Sequence, residues 1–199
     1  AGVIVGALMM VMTIGAIAAV GDFTVSGVNP ATAIIPFIGV AFSSGVIEEL
    51  LLRGLFFRII EEWAGSWIAL AASALLFGAL HLANPNATIV AAAAISLEAG
   101  LMLAAAYMVT RRLWFPIGIH MAWNFVQGGV FGVAVSGNAS KGLLQSSLTG
   151  TELVSGGAFG AESSIFAVIF GLILTVIFLR RAKMKGQFRL GPWQQQKGQ

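Results

Sequence analysis

Two adjacent carboxylates, Glu48 and Glu49, and one arginine, Arg53, lie inside the apolar run Val46 to Phe57. Charged side chains inside an apolar span are expensive and mark a functional site by default. On a helix, Glu49 and Arg53 stand at i and i+4, so they share a face and can pair. Glu48 is turned about 100° away and has no such partner in its own helix. Spacing thus divides the cluster into one neutralised carboxylate and one free to act as a general base or acid. The competing reading, an interfacial salt bridge on a helix that surfaces early, sits poorly with the apolar residues on both sides.

The chain has two histidines and no cysteine, which removes disulfides, thiolate metal sites and cysteine nucleophiles. His81 closes the segment Leu75 to His81. His120 and Asn124 are another i, i+4 pair, and donors at that spacing suit an oxyanion hole. Taken singly, each histidine also reads as a helix-bridging polar residue. A carboxylate and two histidines on three different apolar segments make a catalytic constellation the better account. Glu98, near the middle of a fourth segment, is a supporting candidate as a partner for a histidine or for Arg53, and equally reads as a residue that lines a water-filled cavity or sits protonated.

These residues need membrane helices to hold them. The chain has 199 residues, 58% hydrophobic and 10% charged. Soluble domains average about 25% charged residues, so composition predicts an all-α polytopic membrane bundle. A span takes roughly 20 apolar residues. Six spans follow: Ala1 to Val20, Ala31 to about Trp63, Ser66 to Leu82, Ala87 to Thr110, Phe115 to about Val135, and Ile165 to Leu179. Phe23 to Pro30 reads as a short connection and Ser136 to Ser163 as a long Gly- and Ser-rich loop. Span length and composition exclude strands. Gly100, Ala104 and Ala105 read as close-packing positions, and Trp63, Trp67 and Trp114 as an interface belt, with Trp123 a candidate to face the cavity. One membrane domain over 1–185 and a flexible basic tail over 186–199 complete the layout. The apolar start at Ala1 does not read as a signal peptide and is expected to continue an upstream segment.

The net charge of +3 comes mostly from Arg180, Arg181, Lys183, Lys185, Arg189 and Lys197. After an apolar helix such a tail marks a cytoplasmic flank rather than a nucleic-acid site. Six spans put Arg58, Arg111 and Arg112 on that same side, and Asp22, Glu152 and Glu162 opposite, with Lys141 the only cation there.

In order along successive apolar segments, Glu48-Glu49-x-x-x-Arg53, Phe77-x-x-x-His81 and His120-x-x-x-Asn124 resemble the three motifs of the CPBP family. That family comprises the CAAX prenyl proteases and bacteriocin-processing or self-immunity proteins, and the matching region runs from about Ile35 to Phe125. The resemblance implies an intramembrane endopeptidase acting on a protein or peptide at the bilayer, multi-pass, in the plasma membrane if the source is prokaryotic. It implies that Glu48 and His81 activate water, that His120 and Asn124 hold the oxyanion, and that Glu49, Arg53 and Phe77 support them. A zinc site on Glu48, His81 and His120 and a metal-free glutamate mechanism both stay open, with the preference on the latter. The active-site cavity is expected to open towards the cytoplasmic side. Two other classes remain: a transporter or proton relay, which predicts inverted repeats not visible here, and a silent immunity-type binding protein. One difficulty stands out. Counted from the cytoplasmic ends, Glu48 and His120 lie roughly 12–22 Å deep, while His81 falls nearer the far side.

Overall fold

Long apolar segments leave the backbone no partner but itself, so they fold as helices. The computed structural model describes residues 1–192. Its helices are α1 (Gly2–Ala19), α2 (Ala31–Ala64), α3 (Ser66–His81), α4 (Ile89–Thr110), α5 (Trp114–Asn124), the short α6 (Glu152–Ser155) and α7 (Ile165–Met184). Four of them, α1, α2, α4 and α7, are long and apolar enough to cross a membrane. This corrects the expected six: α3 has 16 residues, about 24 Å of helix, and α5 has 11 before its π continuation through Val130.

The helix starts are capped by the connections. Thr88 accepts from the Ala91 N–H at the head of α4, and Ser164 from the Ala167 N–H at the head of α7. Between α2 and α3 the only residue is Gly65, at φ 85°, a conformation that glycine alone adopts at no cost.

Helix α4 is the centre of the bundle. Met102 to Val109 are buried on every face, as expected of a helix enclosed by others. It packs on α7 and α3, while α5 packs between α1 and α2. The large apolar residues left exposed, such as Ile4, Leu8, Phe42, Leu51, Leu75 and Ile173, lie on the outer helices, where lipid would cover them. Backbones approach closely at Gly78, where an added Cβ would stand 2.3 Å from the Ala92 carbonyl oxygen.

The exclusion of strands is wrong. β1 (Phe23–Val28) and β2 (Leu144–Leu148) form an antiparallel pair with a bulge between Val25 and Gly27. Both fall in connections rather than spans, so the argument from span length never reached them. The alternation in Phe-Thr-Val-Ser and Leu-Gln-Ser-Ser-Leu is the strand signal that was there to read.

Of the basic tail, expected to be flexible, residues 187–190 lie against the Gly65 turn. Ser66 and Arg189 exchange backbone and side-chain hydrogen bonds, and Phe188 packs on Trp67 at 5.0 Å. Arg111 donates to the Gln187 carbonyl and to Glu61, whose carboxyl is 1% exposed. Lys197, with the tail from 193, is outside the described residues.

Candidate active site

The turn at Gly65 resolves the depth problem. Glu48 and His81 stand on the two arms of the α2–α3 hairpin, each about 25 Å from the turn at 1.5 Å per residue. Glu61 is buried against Arg111, so the span begins deeper than its charges suggest. Glu98 and His120 lie on the helices before and after Arg111. That arginine, tied to Glu61, sets them at a comparable level.

Three of the four helices that carry site residues also contain a π segment beside them; α3, with Phe77 and His81, does not. The segments are Leu50–Phe57 after Glu48 and Glu49, Ser96–Gly100 around Glu98, and Phe125–Val130 after His120 and Asn124. Such segments are rare and gather at functional sites. Sequence periodicity gave no sign of them.

Glu49 and Arg53 pair as the spacing predicts, with Nη1 to Oε1 at 2.8 Å and both side chains fully buried. Arg53 Nη2 donates to the Gly100 carbonyl at 3.0 Å, so the guanidinium fork ties α2 to α4. The same Glu49 oxygen accepts from His120 Nδ1 at 3.1 Å. This fixes the tautomer and turns Nε2 towards Glu48 Oε2, 4.0 Å away. Phe77 is the hub: Arg53 stacks over its ring at 4.7 Å, His81 lies against it at 4.7 Å, and His120 meets it edge-on at 5.9 Å.

Glu48 makes no hydrogen bond among the described residues, and its side chain is 34% exposed. It shares a cavity of about 180 Å³ with Leu52, Phe77, Leu80, His81 and Asn84. His81 Nδ1 lies 2.7 Å from the Phe77 carbonyl, which can only accept, so Nδ1 carries the proton and Nε2 has the free lone pair. The wall contains the last turn of α3 and Asn84 beyond it. The cavity is therefore at the end of the hairpin away from Gly65 and the basic tail, contrary to the expected opening on the tail side. The short α3 is the reason: it stops where the site begins.

His81, Phe77, His120 and Asn124 also line a second, smaller cavity together with Glu98, Trp123, Ser136 and Glu162. Asn124 Nδ2 donates one of its two hydrogens to Ser44 Oγ at 2.9 Å. Glu98 partners neither a histidine nor Arg53: it is fully buried, with both oxygens unpaired.

Residues 30–126 match the family described as type II CAAX prenyl endopeptidase, Rce1-like. Over this stretch the chain is similar to that family. The comparisons with curated proteins and with solved structures found no match.

The Rce1-like stretch contains every residue singled out from the sequence: Glu48, Glu49, Arg53, Phe77, His81, Glu98, His120 and Asn124. Ser136 and Glu162, which close the second cavity, come from the loop beyond it. Glu162 accepts from the Ser136 N–H and from Trp123 Nε1, and burial pushes its carboxyl up to about 7. It was placed on a far-side loop by the charge count, and no local motif marks it. Among the described residues no group of three or more His, Asp or Glu is arranged to hold a metal ion. His120 and His81 each direct Nδ1 to a protein acceptor and leave Nε2 free.

Proposed function

We propose that the protein is a membrane-embedded endopeptidase in which Glu48 activates water against a peptide carbonyl. The supporting observation is the separation of the two carboxylates. Glu49 is held by Arg53 and His120, whereas Glu48 has no hydrogen bond and faces a cavity with His81.

In this reading a water in the Glu48 cavity gives one proton to Glu48, oriented by the free lone pair of His81 Nε2. The hydroxide adds to the carbonyl carbon and the carbonyl oxygen becomes an oxyanion. His120, doubly protonated between Glu49 and Glu48 before the reaction, keeps its Nε2 proton and donates it as a hydrogen bond to that oxygen. Asn124 adds a second donor through the Nδ2 hydrogen that Ser44 does not take. Collapse of the intermediate breaks the C–N bond, and Glu48 returns its proton to the leaving nitrogen. Carboxylic acid and amine products result, with no metal step. Glu49, Arg53 and Phe77 position His120 and His81. The substrate is a protein or peptide segment held at the bilayer.

The test is cleavage of a membrane-anchored reporter peptide by the purified protein in vesicles. Glu48→Ala, His81→Ala and His120→Ala are each expected to remove at least about 100-fold of the rate, the usual scale for a positioned acid or base. Unchanged cleavage by Glu48→Ala refutes the mechanism.

A further inference from the structure

Helices α2 and α5 leave a groove between them on the face away from Glu48. Val46, Leu50, Gly54 and Arg58 follow one another at four-residue spacing and form one stripe along α2. Glu48, two residues beyond Val46, stands about 200° around the same helix, so the groove is separate from the Glu48 cavity. Leu113 and Ile117, again four apart, form the facing wall at the head of α5. Gly54 lets the two walls meet at the floor: an added Cβ would stand 3.2 Å from Leu113 Cδ1. The groove holds about 600 Å³, against about 180 Å³ for the Glu48 cavity. That is within the roughly 300–1,000 Å³ of cavities that take organic ligands.

Its two ends differ in kind. Arg58, Arg111 and Arg112 gather at the end nearer Gly65 and the basic tail, and the other end is apolar. Arg111 is taken by Glu61 and Gln187. Arg58 and Arg112 are exposed, and neither side chain has a hydrogen bond or ion pair among the described residues. Glu62, the other carboxylate on that turn, lines a different groove with Arg189. Tyr107, only 6% exposed, lines the arginine groove, and its hydroxyl has no hydrogen-bond partner among the described residues. A buried hydroxyl calls for a partner, and here the open side is the groove. Trp114, 79% exposed, also lines it, and indoles settle at the level of lipid headgroups. From Arg58 to Val46 the stripe is at most about 18 Å long at 1.5 Å per residue. Half of a bilayer core is about 15 Å, so the stripe matches one acyl chain of one leaflet. A soluble anion would leave that apolar length bare, and a neutral lipid would leave two arginine forks without the phosphate they suit.

We propose that this groove binds one anionic phospholipid from the leaflet on the side of the basic tail. Arg58 and Arg112 hold its headgroup, the Tyr107 hydroxyl donates to it, and one acyl chain lies along Leu50, Val46 and Ile117. Basic pockets between membrane helices take anionic headgroups in this way. The lipid seals the seam between α2 and α5, the helices that carry Glu48 and His120. The proposal does not depend on the peptidase reading, and its test uses no substrate.

The experiment is thermal unfolding of the purified, delipidated full chain in uncharged detergent. The additions are dioleoylphosphatidylglycerol, dioleoylphosphatidylcholine, or inorganic phosphate. At about 100 times its dissociation constant, phosphatidylglycerol should raise the midpoint by about 5–10 °C, and the other two by less than half as much. The rise should vanish when Arg58→Gln and Arg112→Gln are combined. It should persist when Arg180→Gln and Arg181→Gln are combined, which removes the same charge from the exposed end of α7. Leu50→Trp fills the groove with every charge intact and should also abolish the rise, a second readout if the arginine variant folds poorly. The proposal is overturned if phosphatidylcholine matches phosphatidylglycerol, or if phosphate alone gives the whole rise, which would leave a soluble-anion site. It is equally overturned if the rise survives both the Arg58 and Arg112 pair and Leu50→Trp, or is lost as fully in the Arg180 and Arg181 pair.

Discussion

Replacing Arg53 by methionine isolates the largest buried charge in the structure. The guanidinium is 0% exposed and holds Glu49 Oε1 at 2.8 Å, the Gly100 carbonyl at 3.0 Å and the face of Phe77 at 4.7 Å. Removing it leaves the Glu49 carboxylate buried with His120 as its remaining partner. Breaking a buried pair by deleting one member costs about 3–5 kcal/mol. For a chain of this size each kcal/mol moves the midpoint by about 2–4 °C, so Arg53→Met should unfold about 6–20 °C below wild type. Glu49→Gln should cost less, because the arginine keeps Gly100 and Phe77. The double variant should recover part of the loss, since no charge is then stranded. Arg53→Lys decides the geometry. Lysine supplies charge but no planar fork, and cannot satisfy Glu49 and Gly100 together. The assay is thermal unfolding in detergent with cleavage measured in parallel. Wild-type stability for Arg53→Lys, or strictly additive losses in the double variant, would refute the account of a fork joining α2 to α4.

Glu48→Gln should leave the unfolding midpoint within about 2 °C of wild type, because the side chain is partly exposed and has no hydrogen bond, while reporter cleavage falls at least about 100-fold. Gly78→Ala should destabilise by about 1–3 kcal/mol, since its Cβ would meet the Ala92 carbonyl and Ser96; Gly15→Ala, with open space around it, should be neutral or better in the same melts. Arg111→Gln should cost about 3 kcal/mol or more by stranding the buried Glu61, whereas Arg189→Gln, exposed and 3.9 Å from Glu61, should cost less than about 1 kcal/mol. Equal effects of the two arginine changes on the unfolding midpoint would show that the tail, not Arg111, neutralises Glu61.

The helices and the polar residues they bring together were legible because both signals are local. Hydropathy marks the apolar runs, and the i, i+4 rule separates Glu49 with Arg53 from Glu48 without any tertiary knowledge. Glu162 was not legible, since it reaches the site from a loop whose path depends on Ser136, Trp123 and Gln127. The depth of His81 was not legible, since it depends on the turn at Gly65 and on the burial of Glu61 against Arg111. Asn124 also donates to Ser44, a contact that the sequence did not show. Ser44 is a residue type with no signature of its own at that position.

The π segments have a consequence for descent. A π turn accommodates one residue more than the α turn it replaces, so it is the footprint of a single-residue insertion kept inside a helix. Three such footprints, at 50–57, 96–100 and 125–130, adjoin the polar residues of three different helices. Related chains with straight α-helices should therefore differ from this one by single-residue gaps in the middle of spans, rather than in loops. Deleting one residue from 50–57 would restore a regular helix but turn Glu48 and Glu49 by about 100° relative to Glu61. The irregular helix and the catalytic arrangement are then inherited, or lost, together.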